Sequence, residues 1–132
     1  MTIFAALIRL QAFNALGRFF RYEISIQAKH ELIVTGPYSI VRHPGYTGLL
    51  LFSLGWFLWN VMPGSWIWES GILSTVGGAL IVTAFSIFNI MEISVMTLGR
   101  MSLEDAALKK QFGKEWDEWA KRVPYSIFPG VY

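Results

Sequence analysis

The stretch Gly36-Pro37-Tyr38-Ser39-Ile40-Val41-Arg42-His43-Pro44-Gly45-Tyr46 places a guanidinium, an imidazole and two phenols at the mouth of a long uncharged run. Lipid-facing sequence would carry none of these, so the stretch is a candidate site. Further along, Arg100 and the acidic pair Glu104-Asp105 add a second cation and two carboxylates. Arginine and histidine can meet an anion or orient neighbours, a carboxylate accepts from hydroxyls or an ammonium, and tyrosines supply ligand walls. Each residue also has a plainer use. Glu104 suits a helix N-terminus, Arg42 and His43 suit headgroup anchors, and Pro44-Gly45 suits the start of a membrane helix. Singly the two uses balance; together, around one face, they point to a site.

The elements that must position these groups follow from composition. Hydrophobic residues make up 54% of the chain, charged residues 15%, and the mean hydropathy is +0.44. No charge occurs from Pro44 to Trp68 or from Gly71 to Met91. Each run matches the roughly 20 apolar residues that a spanning helix needs. Pro63-Gly64-Ser65 breaks the apolar sequence, so the runs read as a hairpin with a very short connection. The expected fold is an all-α integral membrane protein, one domain over residues 1–132. It has two spanning helices, a partial N-terminal helix and a cytosolic amphipathic C-terminal helix; a soluble domain with a buried hairpin is the alternative.

All eleven Lys and Arg residues lie before Pro44 or after Gly99, while the connecting turn offers only Glu69. This bias assigns both flanks to the cytosolic side. A net charge of +2 is too small to argue for nucleic acid, and the cations read as topology signals and contacts to the lipid bilayer. The absence of cysteine removes disulfides and thiolate chemistry, and two histidines without a spaced carboxylate partner predict no metal site.

Met1 to Leu16 is apolar apart from Arg9, Gln11 and Asn14, which fits a half-inserted or interfacial helix, or the tail of a spanning helix with an interfacial exit at Gly17-Arg18-Phe19-Phe20-Arg21. Tyr22 to Val34 alternates β-branched and polar residues and is expected to be extended. Ser102 and Asp105 have capping-box spacing, which predicts that a new cytosolic helix starts there. Its apolar stripe, Leu103, Ala107, Leu108, Phe112, Trp116, Trp119 and Val123, predicts an amphipathic helix weakened at Gly113 and ended by Pro124. Tyr125 to Tyr132 is expected along the membrane surface or back over the helices.

Gly36-Pro37-Tyr38, Arg42-His43-Pro44-Gly45-Tyr46, the hairpin, Glu104-Asp105 and Phe112-Gly113-Lys114-Glu115-Trp116 occur in an order and spacing that resembles the isoprenylcysteine carboxyl methyltransferases. The resemblance covers about residues 17 to 130. It implies an integral membrane enzyme, of the endoplasmic reticulum, that uses S-adenosylmethionine to methylate the C-terminal carboxylate of a prenylated cysteine in protein substrates. Related membrane methyltransferases act on phospholipid amines. Carried over by position, the cofactor contacts fall on His30, Glu31, Leu32, Ile33, Tyr38, His43, Pro44, Gly45, Tyr46 and Glu104, with Gln27 or Ser25 as a further contact. Arg100 matches the substrate-side arginine, so Arg100 and Glu104 are the implied catalytic pair. Asp105 stands where the family usually has a second glutamate, one methylene shorter.

Arg100 bears on the substrate. A carboxylate is already a nucleophile at neutral pH and needs placement and dryness rather than a base, and an arginine fork would hold it. A phospholipid amine would be protonated, would need a base, and would be repelled by a guanidinium. The plainer use of Arg100 is a positive-inside anchor. Glu92 reads as a snorkelling group near the interface or as part of a polar wall. Members of the family carry additional membrane helices upstream, so a noncatalytic protein that keeps the cofactor fold is a further alternative.

Overall fold

A computed structural model describes residues 1–17 and 31–130 of the chain. The expected interfacial exit at Arg18–Arg21 and most of the segment expected to be extended, with Ser25, Gln27 and His30, lie outside the described residues. Five helices carry the described chain: α1 (Thr2–Leu16), α2 (Pro44–Val61), α3 (Trp66–Glu69), α4 (Val76–Phe112) and α5 (Lys114–Arg122). No strand occurs among the described residues, which agrees with the expected all-α class.

The first two helices lie antiparallel because small residues let their backbones approach. Gly48 faces Ala5 and Arg9, and Gly55 faces Thr2; a Cβ at Gly48 would come within 2.8 Å of the Ala5 carbonyl oxygen. Ala5 and Ala12 are fully buried, whereas Ile3, Phe4, Leu7 and Leu10 point outward. Small residues inside and large apolar ones outside suit lipid surroundings, where close packing rather than burial from water holds helices together. α1 therefore runs alongside α2.

Proline at the first helical turn starts α2, where a missing N–H costs nothing. Its 18 residues reach about 27 Å. The helix stops at Val61, short of the expected Trp68. The link to α4 is longer than the hairpin reading supposed: it contains α3, capped by Ser65, whose Oγ accepts from the Trp68 N–H at 3.1 Å, and a 3-10 turn at Ile72–Ser74. Glu69 accepts from the Gly64 N–H at 3.0 Å and so closes the turn on itself.

α4 is the one helix among the described residues that is long and apolar enough to cross a membrane. Its 37 residues extend about 55 Å, well beyond a hydrocarbon core of about 30 Å. The expected helix start at Ser102 does not occur. α4 passes through it unbroken, and the Ser102 hydroxyl donates back to the Leu98 carbonyl at 3.2 Å. A capping-box pattern inside a helix with intact i→i−4 bonding has no free N–H groups to cap, so Asp105 is available for a tertiary contact. The break comes instead at Gly113, whose φ of +51° favours glycine, and α5 turns away there.

α5 lays Trp119 into a small core with Ala12, Tyr38 and Val123, against which Leu32, Ile33, Val34 and Trp116 pack. The indole N–H of Trp119 donates to the Tyr38 carbonyl at 3.2 Å. The aromatic stripe of the C-terminal region is thus packing. After Val123 the chain folds back over the start of α2, the second of the two courses expected for it. The N–H groups of Arg42 and His43 donate to the carbonyls of Tyr125 and Ser126, each at 2.9 Å, and the Thr47 hydroxyl donates to the Ile127 carbonyl at 2.6 Å.

Candidate functional site

Where the head of α2 meets the C-terminal third of α4, groups far apart in sequence converge. The Tyr46 hydroxyl donates to Glu104 Oε1 at 2.5 Å. His43, only 6% exposed, stands between two carboxylates: Nε2 lies 3.0 Å from Asp105 Oδ1 and Nδ1 lies 3.6 Å from Glu104 Oε2. Arg100, one helical turn before Glu104, also reaches the Tyr46 hydroxyl. The unbroken α4 puts Arg100, Glu104 and Asp105 on one rigid rod, while the turn at Gly36–Ser39 and the first residues of α2 bring Tyr38, His43 and Tyr46 to it.

Burial alone would push the His43 pKa down, but the hydrogen bonds and charges of Asp105 and Glu104 outweigh it, and the net shift is upward from 6.5. Geometry agrees in direction. Asp105 is within hydrogen-bond reach and Glu104 lies just beyond it, carboxylates only accept, and a neutral imidazole would turn a lone pair toward one of them. Burial first, and then the nearby Glu104 and Tyr46, raise the Tyr38 phenol so that it stays neutral.

Arg42 turns away from any ligand. Its guanidinium donates to the carbonyls of Val123 at 3.3 Å and Pro124 at 2.8 Å and to the Ser126 hydroxyl at 2.6 Å, while its Nε lies 3.6 Å from Asp105 Oδ2. Of the alternatives open to it, orienting neighbours is the one seen. With His43 charged, three cations (Arg42, His43, Arg100) face two carboxylates, which leaves the cluster with one positive charge.

The residues expected to bind cofactor divide. Tyr38, His43, Tyr46 and Glu104 come together, with Arg100 beside them. Pro44 is fully buried and, with Gly45, forms the helix start that aims Tyr46. Leu32 and Ile33 are half-buried against the Tyr38 and Trp119 core, and Glu31 is exposed. His30 lies outside the described residues. Sequence reasoning missed the carboxylate partners of His43, which lie 61 and 62 positions away, and the Arg42–Ser126 clamp, 84 positions apart. Local spacing carries no signal for either. On the far side of Asp105 a cleft of about 360 Å³ is lined by Leu98, Met101, Ser102, Asp105 and Ser126.

Residues 14–132 match the sequence model of the ergosterol biosynthesis ERG4/ERG24 family. The chain belongs to that family. It is 30% identical over 129 residues to protein-S-isoprenylcysteine O-methyltransferase B of Arabidopsis thaliana, a match covering 96% of this chain and 55% of the relative. It is 32% identical over 125 residues to the probable protein-S-isoprenylcysteine O-methyltransferase of Oryza sativa subsp. indica, covering 93% and 55%. Delta(14)-sterol reductase TM7SF2 of Mus musculus is 28% identical over 102 residues, covering 77% of the chain and 20% of the relative. The resemblance read from the motifs is therefore met by similarity along nearly the whole chain, which spans about half the length of those methyltransferases. Relatives named for methyl transfer and for reduction are both similar to this chain, and the residues that match the family model, 14–132, contain the entire cluster. One scaffold accordingly accompanies two chemistries, and the function must be argued from the site.

Proposed function

We propose that this chain is a single methyltransferase domain that moves a methyl group from S-adenosylmethionine to the C-terminal carboxylate of a prenylated cysteine. Action at the cytosolic face of the endoplasmic reticulum membrane is part of the same reading. The observation that carries it is the convergence of Arg100 and Glu104, one turn apart on α4, on the Tyr46 hydroxyl of α2.

The donor set fits the cofactor. Glu104 uses one oxygen for Tyr46 and the other for His43, is 29% exposed, and keeps lone pairs for a ribose hydroxyl or an ammonium. Leu32, Ile33 and Tyr38 offer apolar and aromatic walls, and the net positive charge suits two carboxylates, that of the amino-acid end and that of the acceptor. S-adenosylmethionine, when bound, supplies an electrophilic methyl group on a sulfonium. Arg100 holds the acceptor carboxylate in line and needs no base beside it. Excluding water from this end of the α2–α4 groove favours the step, because a cation and an anion react to give neutral products. The prenyl chain contributes roughly 0.8 kcal/mol per buried methylene from within the bilayer.

In this reading the uncharged α2 crosses the membrane beside α4, with the cluster at the cytosolic headgroup layer, although among the described residues α4 alone is long and apolar enough to do so by length and composition. The charge bias supports this, as do the exposed Trp56, Trp59, Trp66 and Trp68 at the opposite end of α2, a position that interfacial tryptophan favours. A reductase reading is favoured by the family description and by the sterol reductase relatives. It would call for a hydride donor and a proton donor in place of a methyl donor.

The test supplies the detergent-purified chain with labelled S-adenosylmethionine and a farnesylated cysteine bearing a free carboxylate. Phosphatidylethanolamine and a sterol diene with reduced nicotinamide cofactor serve as parallel acceptors. Base-labile label on the cysteine lipid supports the proposal. Label on the amine, or oxidation of the nicotinamide, transfers the assignment to those chemistries, and no turnover in folded protein makes the chain noncatalytic on its own.

A further inference from the structure

Asp105 touches none of the groups that the proposed reaction requires, yet it occupies the centre of the network. One oxygen receives His43 Nε2 at 3.0 Å, and the other faces Arg42 Nε at 3.6 Å. Arg42 is fastened to the C-terminal strap at Val123, Pro124 and Ser126. On the opposite side of the imidazole, Nδ1 faces Glu104, whose remaining oxygen takes the Tyr46 hydroxyl. The His43 backbone is also pinned, its N–H donating to the Ser126 carbonyl and its own carbonyl accepting from the N–H groups of Tyr46 and Thr47. A relay of charges therefore runs from strap to Arg42, Asp105, His43, Glu104 and Tyr46, hydrogen-bonded at the strap, at His43–Asp105 and at Tyr46–Glu104, and closed by ion-pair contacts of 3.6 Å at Arg42–Asp105 and His43–Glu104.

We infer that Asp105 is a positioning residue: it keeps His43 doubly protonated and aimed, so that the second imidazole N–H, together with Tyr46, fixes both oxygens of Glu104 toward the cofactor. The role of Glu104 rests on the proposed function; the protonation and aim of His43 do not. The groups facing the ring are Asp105 and Glu104 from α4, Tyr46 from α2 and Arg42 from the preceding turn, with Arg100 beyond Tyr46. Removing the Asp105 charge leaves one carboxylate against a buried ring that desolvation already drives toward neutrality. A neutral ring cannot donate to both partners, and Glu104 loses a restraint.

The deciding experiment is a side-chain nitrogen NMR titration of the two histidines in the full chain in detergent, with the signal lost in His43→Asn assigned to His43. In the wild type His43 should titrate above its ordinary value. In Asp105→Asn its pKa should fall by at least about one unit, while Asp105→Glu should keep it within about half a unit of wild type. S-adenosylhomocysteine affinity, measured alongside, should weaken about tenfold in Asp105→Asn at a pH between the two titrated His43 values and return to within about twofold below both, where the ring recharges. A merely structural role would weaken affinity equally at both pH values. An unshifted His43 in the wild type, or an unchanged His43 pKa in folded Asp105→Asn, overturns the inference. Should the asparagine variant fail to fold, the wild-type and Asp105→Glu titrations still decide it. Absence of S-adenosylhomocysteine binding in the wild type, with the expected titration intact, overturns the cofactor reading and retains Asp105 as the residue that sets His43.

Discussion

The Tyr46 hydroxyl and Glu104 Oε1 meet at 2.5 Å although 58 residues separate them, and this contact joins the head of α2 to the C-terminal third of the α4 rod. His43, Arg100 and Asp105 gather around that junction, which makes Glu104 and its neighbours the first residues to vary.

Glu104→Ala should weaken binding of S-adenosylmethionine by about tenfold or more, since a charge-assisted hydrogen bond contributes about 1.5–3 kcal/mol. Arg100→Ala should leave that affinity near wild type and depress methyl transfer, because its partner is the acceptor. Tyr46→Phe should fall between, weakening affinity severalfold by freeing Glu104. Calorimetric titration and single-turnover transfer separate these effects. Equal losses of cofactor affinity in Glu104→Ala and Arg100→Ala would undo the division of roles.

The pH dependence follows from His43. Its folded pKa is raised, so its contribution to stability is fully present below about 6.5 and is lost as pH rises through the folded value. The melting-temperature gap between wild type and His43→Asn should be widest near pH 6 and should narrow toward about pH 9. A gap that widened with pH would mean that the ring is held neutral.

Much of this arrangement is legible in the sequence because it is local. The proline start of α2, the loop at Pro63-Gly64 and the apolar face of α4 follow from composition and short spacing, and the residues of the cluster stand in the motifs that carry the family resemblance. The misread points have a common cause. Ser102 and Asp105 carry the pattern of a helix start, but the preceding turn of α4 already supplies the backbone partners, and Asp105 is drawn to His43 across the interface. In the sequence Gly113 is a weak point within one helix; a positive φ makes it a corner between two. Arg42 suited a ligand as well as a carbonyl cage, and only the returning strap, whose course no periodicity sets, decides for the cage.

The strap gives its own prediction. Ser126→Ala deletes a 2.6 Å bond from the Arg42 guanidinium at a residue only 3% exposed, which should destabilise the fold by about 1–3 kcal/mol. Limited proteolysis should cut first after Arg122 and do so faster than in wild type, while α4 remains intact. Unchanged cleavage would mean that the strap is held without Arg42.

Helix packing can be tested with two glycines of opposite expectation. Gly48→Ala places a Cβ against the Ala5 carbonyl, so α1 must shift, at a cost of about 1–3 kcal/mol. Gly77→Ala meets nothing within 4 Å and should stabilise α4 by up to about 1 kcal/mol through helix propensity. Thermal melts in one detergent compare them directly, and a neutral Gly48→Ala would place the α1–α2 contact elsewhere.

The proposed topology makes a prediction at the tryptophans. Trp59, in the last turn of α2, and Trp66, in the connection, are 76% and 77% exposed beside a single charge, Glu69, that is turned back on Gly64, so both rings suit the boundary between headgroups and acyl tails. In that topology α2, about 27 Å long, reaches from that boundary to His43 and sets the Glu104–Arg100 pair at the opposite headgroup layer, where the proposed lipid-borne carboxylate and water-borne cofactor can meet. In vesicles of brominated lipid, bromines near the glycerol should quench the emission removed by Trp59→Phe and Trp66→Phe more strongly than bromines near the acyl terminus. Stronger quenching from the deep position would mean that the turn is buried in the bilayer, and it would take both the span of α2 and the interfacial placement of the site with it.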